Sequence, residues 1–97
     1  MNYVEINEFE PGSLDQLLKN VYDKYNSVVF IIYFSKFPVS KINALMPIIE
    51  KYKLVTIKKL KKTIVHIDNE SDYHIAKYIR QFIKSEKPIE YILNHNL

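Results

Sequence analysis

The sequence predicts an α/β fold, a thin sandwich in the order β-α-β-α-β-β-α around a mixed four-stranded sheet. Three observations predict it. First, Val28-Val29-Phe30-Ile31-Ile32-Tyr33-Phe34 is an unbroken apolar run rich in β-branched and aromatic side chains, suited to a central strand buried on both faces. Second, residues 41–52 carry Ile42, Leu45, Met46, Ile49 and Tyr52 along one helical face. Third, residues 54–57 and 63–67 are two more β-branched stretches, separated by Lys58-Lys59-Leu60-Lys61-Lys62. They read as a hairpin with a basic connection, although no Asn-Gly or Asp-Gly turn is present. Strands joined through helices pair in parallel, and a hairpin adds an antiparallel strand, so the sheet is expected to be mixed.

The remaining elements follow in order. Residues 1–7 alternate Tyr3, Glu5 and Asn7 with Val4 and Ile6, the pattern of a short edge strand. After Pro11-Gly12, Ser13 is placed to cap a helix and Gln16 to complete a capping box. The helix over 14–25 turns Leu14, Leu17, Leu18, Val21 and either Tyr22 or Tyr25 inward. Pro47 lies inside the second helix, where it removes a backbone hydrogen bond and should kink it. Asp68-Asn69-Glu70-Ser71-Asp72 suits a helix start, its acids matching the positive end of the helix dipole. The helix over 72–85 would bury Ile75, Tyr78 or Ile79, Phe82 and Ile83. Residues 89–93 fit either a last helical turn or a short strand, and 94–97 a tail.

Composition bounds the chemistry. Ninety-seven residues with 47% apolar side chains make one domain spanning 1–97. A single glycine argues against a phosphate-cradling loop. The absence of cysteine removes thiol nucleophiles, cysteine–zinc sites and disulfide chemistry. His66, His74 and His95 are too scattered for a metal motif, and no cofactor or metal is expected. The net charge of +3 is carried almost wholly by lysine, Arg80 being the only arginine, so nucleic-acid contact is permitted without being implied. No apolar run is long enough to span a bilayer and no signal-peptide pattern opens the chain. A soluble cytoplasmic protein without a membrane partner is expected.

The predicted order and several local features resemble the thioredoxin and glutaredoxin superfamily over roughly the first 80 residues. Val4-Glu5-Ile6 followed by Phe9 is similar to the first strand of that fold, and residues 28–34 to the strand that enters its redox motif. Phe37-Pro38-Val39-Ser40-Lys41 stands where those families carry Cys-x-x-Cys-Lys. Pro47 matches the kink of their long helix, and Ile67-Asp68-Asn69-Glu70 with Ala76-Lys77-Tyr78 the stretch after their third strand. The departures set the functional expectation. Phe37 and Ser40 replace both cysteines, Ile31 falls near the position of the buried acid, and Pro88 comes too late to be the proline before the hairpin. Disulfide exchange needs a thiolate, so the resemblance implies a redox-inactive member.

The carboxyl end of the central strand is where open α/β sheets keep their sites. Ser35, Lys36, Phe37, Pro38, Val39 and Ser40 therefore form the first candidate site, for a protein partner. Ser35 and Ser40 could bind an anion through hydroxyl and free N–H groups, though helix capping explains serine there more simply. Phe37 could stand exposed as a contact, or fold inward over the lost redox site. Lys51, Lys53, Lys58, Lys59, Lys61 and Lys62 form the second candidate, for phosphate backbones, with the protection of an edge strand as the simpler account. The leading expectation is a non-catalytic thioredoxin-like protein-interaction module, with homodimerisation through the hairpin edge or a helix face. The alternative is a small basic nucleic-acid-binding protein. An enzyme using Ser40 or the histidines ranks last, because no nucleophile–base pair is visible.

Overall fold

A computed structural model of the chain describes residues 1–81 and 86–94. Four strands, β1 (Asn2–Ile6), β2 (Val28–Tyr33), β3 (Leu60–Ile67) and β4 (Ile89–Leu93), form one sheet in the order β1-β2-β3-β4. Every pair is parallel. The helices are α1 (Pro11–Lys24), α2 (Ile42–Lys51), α3 (Lys53–Lys59) and α4 (Glu70–Arg80).

The sheet is thus all parallel, not mixed, and the cause lies in residues 54–57. That stretch is helical and sits in α3, so no hairpin forms and β3 follows a helix as β2 does. A four-residue apolar run does not reveal its own period. Leu54 and Ile57 are 75% and 48% exposed, while Val55 packs against the core and the Thr56 hydroxyl meets that of Tyr22 at 2.8 Å. Lys58 and Lys59 close α3 rather than a hairpin, and Lys61 and Lys62 lie in β3, an inner strand. The edge-protection account of these lysines falls with the hairpin. So does the antiparallel strand that the thioredoxin-like arrangement requires.

Residues 89–93 resolve as a strand, hydrogen-bonded in register from Thr63↔Ile89 to Ile67↔Leu93. The first helix begins earlier than the capping box suggested: Pro11 opens it, and Glu10 is the N-cap without a side-chain bond. Gln16 instead donates to Asn20 one turn on. Asn69 caps α4, its side-chain oxygen accepting from the Asp72 N–H at 2.8 Å, with Glu70 and Asp72 in the first turn. Expectations for Phe82, Ile83 and His95 fall outside the described residues.

Sequential parallel order has a geometric consequence. Right-handed crossovers that always step in the same direction put every helix on one side of the sheet. Val28, Phe30 and Ile32 of β2, with Leu60, Val65 and Ile67 of β3, point to that side and into the two core clusters. Leu14, Leu18, Val21 and Tyr22 of α1, Leu45 of α2 and Tyr52 complete one cluster; Ala76 and Ile79 of α4 serve the other. Side chains of the opposite parity, among them Val29, Ile31 and Ile64, belong to neither. Among the described residues the helices therefore cover one face of the sheet, not both; on the other, which has no helix over it and is called the bare side below, Val29 is only 2% exposed while Ile31 and Ile64 are half-buried.

Candidate functional site

The loop after β2 consists of two single 3-10 turns, Phe34–Lys36 and Val39–Lys41, closed by Phe37 N–H to Phe34 C=O and Lys41 N–H to Pro38 C=O, both at 2.8 Å. Phe37 folds inward. Its ring meets Phe9 edge-on at 5.1 Å and stacks on Phe34 at 5.3 Å, and it touches both core clusters. Ser35, Lys36 and Ser40 are exposed, Pro38 is half-buried, and Val39 is the one exposed apolar side chain of the loop. Neither serine caps a helix: α2 starts after Lys41 with no side-chain cap, and the Lys41 ammonium reaches Glu10 at 2.5 Å. The loop is thus largely sealed by its own phenylalanine.

The six lysines of the second candidate do not converge on one site: Lys58 and Lys59 line a pocket with Lys19, and the other four do not line it. Lys51 pairs with Asp15 at 3.0 Å, and Lys53 reaches Glu50 at 3.9 Å. Lys59 donates to the Tyr22 carbonyl. Lys62 pairs with Glu90 at 2.6 Å on the bare side of the sheet. Lys58 and Lys61 stand exposed on α3 and β3. The histidines are not brought together either. His66 lies on the sheet, stacked on Tyr33 at 5.1 Å, whereas His74 is an exposed residue of α4 beside Tyr73. Among the described residues no group of three His, Asp or Glu is positioned to hold a metal.

Between sheet and helices lies a cavity of about 200 Å³, walled by core residues such as Phe30, Leu45, Val65 and Ile79, with Arg80 and Lys87 also contributing. Its lining is mostly apolar, and both cations have partners already.

The bare side of the sheet is the feature that sequence reading missed. The strand register sets its side chains in rows: Tyr3, Val29 and Lys62; then Glu5, Ile31, Ile64 and Glu90; then Tyr33, His66 and Ile92. Ile31, Ile64 and Ile92, all half-buried, make its apolar part, beside a Val29 that is only 2% exposed. The polar groups around it satisfy one another. Tyr33 Oη donates to Glu5 Oε1 at 3.1 Å, a bond that holds the phenol above its ordinary pKa, and Lys62 pairs with Glu90. The available signal was the parity of the apolar run, with Val29 and Ile31 as apolar as Val28 and Phe30. It shows that both faces avoid water without saying what covers the second one.

No helix among the described residues is long and apolar enough to cross a membrane. Comparison with protein-family models, curated proteins and solved structures finds no match to this chain.

Proposed function

We propose that the chain is a non-catalytic protein-interaction module that works through the bare face of its sheet. One observation supports the reading: a parallel sheet whose outer face is apolar at the centre and rimmed by a Lys62–Glu90 ion pair and a Glu5 carboxylate held by the Tyr33 hydroxyl. Parallel sheets are ordinarily covered on both faces, and here Ile31, Ile64 and Ile92 keep part of their apolar surface open where a covering layer would stand. The row Glu5–Ile31–Ile64–Glu90 describes the complement. A helix about 10 Å across spans roughly two strands about 4.8 Å apart. The fitting partner is an amphipathic helix, with its apolar stripe on Ile31 and Ile64 and a basic residue toward Glu5. Nucleic-acid binding draws less support, because four of the six lysines in the Lys51–Lys62 region are engaged within the chain.

The test pairs an Ile31→Lys/Ile64→Lys variant with a Lys58→Ala/Lys61→Ala variant. Each serves, beside the wild type, as bait in nuclease-treated extract, and any captured protein is then purified and titrated back. The expected result is saturable one-to-one binding, lost at least tenfold in the face variant and retained in the lysine variant, both folded by circular dichroism. Binding that survives the face substitutions, or that follows the lysines and added DNA, would overturn the reading.

A further inference from the structure

We infer that the outer edge of β1 is a self-association site, where two copies of this chain pair antiparallel about Val4 to make one continuous eight-stranded sheet. This does not rest on the bare-face reading. The argument begins with the backbone. The Asn2 N–H donates to the Ser27 carbonyl at 3.3 Å. Inward-bonding residues alternate along a parallel ladder, so Asn2, Val4 and Ile6 bond to β2, while Tyr3 and Glu5 aim their N–H and C=O groups outward. Among the described residues β1 has β2 as its sole strand neighbour, and nothing pairs with that outer row. The strand has no lysine, proline or bulge, the devices that commonly blunt an edge.

The side chains choose the register. A two-fold axis at Glu5 would set Glu5 against its own copy, an unfavourable like-charge pair. An axis at Val4 sets Tyr3 opposite Glu5 of the second copy, and Glu5 opposite Tyr3. Both are outward-bonding residues, so each pair exchanges two main-chain hydrogen bonds, four in all. On the bare face each phenol, 65% exposed in the single chain, lies beside a carboxylate that can accept from it. The arrangement is isologous and closes on itself, and it doubles the bare face.

The test is sedimentation equilibrium over a concentration series. The wild type should approach twice its 11.6 kDa mass as concentration rises. Tyr3→Pro removes an outward N–H and the phenol but no bond to β2, at a place where an edge strand accepts proline, and should remain a folded monomer. Because the chain has no cysteine, single substitutions report the register. A mixture of Tyr3→Cys and Glu5→Cys chains should cross-link on oxidation at a Cα separation near 5.5 Å, whereas Tyr3→Cys alone should not. The Ile31→Lys/Ile64→Lys variant should dimerise like the wild type. A wild type that stays monomeric, a mass that climbs past the dimer, or equal cross-linking by Tyr3→Cys alone would overturn the proposal.

Discussion

At the scale of single residues, Asp15 shows how a surface carboxylate is drawn into the structure. The Tyr52 hydroxyl donates to its Oδ1 at 2.5 Å, and the Lys51 ammonium bonds both its oxygens. Tyr52, and after it Lys51, hold the Asp15 carboxyl below its ordinary value of 3.8, and the same carboxylate holds the Tyr52 phenol and the Lys51 ammonium up. The sign follows from linkage. A carboxyl depressed in the folded state adds stability above its unfolded pKa and loses that stability as pH falls through the folded value. Asp15→Asn should therefore lower stability at neutral pH and leave it little changed at pH 2. Urea denaturation of both proteins across that range checks this; a constant difference at every pH would show the carboxylate charge to be irrelevant. Tyr52 was legible from helical spacing, as were Leu14, Leu18 and Val21, all buried as expected. Asp15 was not, because its partners lie 36 and 37 residues away.

At the scale of elements, legibility followed the strength of the local signal. The start of α4 was readable because its polar cluster has one physical use. The Asn69 side chain satisfies a free N–H at Asp72, and the acids of the first turn meet the positive end of the helix. Asn69→Ala should cost about 1 kcal/mol, while Ser71→Ala, an exposed neighbour outside the cap, should cost far less; chemical denaturation separates the two. The chain between α2 and β3 was misread because Leu-Val-Thr-Ile is as good a strand as a helix by composition. Tertiary contacts decide it, through Thr56 bonding Tyr22 and Lys59 donating to the Tyr22 carbonyl, both across to α1. The loop at Phe37 is a different case. Inward and outward orientations were both open from sequence, and the aromatic partners Phe9 and Phe34 settle it inward.

At the scale of the whole molecule, the decisive property is that four parallel strands run in chain order, which commits every helix to one layer. No single residue encodes this. It follows from the handedness of crossovers once the third strand is known to be parallel. The fold then holds two populations of isoleucine on one strand. Ile67 points into the helix layer and is 1% exposed, while Ile64 points to the bare side and is half-buried by its sheet neighbours alone. Truncating a fully buried isoleucine removes its transfer free energy and leaves a cavity, so Ile67→Ala should cost ~2–5 kcal/mol. At Ile64 no helix among the described residues stands over the side chain, water fills the space, and Ile64→Ala should cost under ~2 kcal/mol in the isolated chain. Chemical denaturation at low protein concentration measures both. Equal costs would mean that Ile64 is packed as deeply as Ile67, and that the sheet has no bare side to offer a partner. If the costs are unequal and Ile64→Ala also weakens partner binding, the isoleucine of the two that contributes less to folding is the one the chain keeps for association.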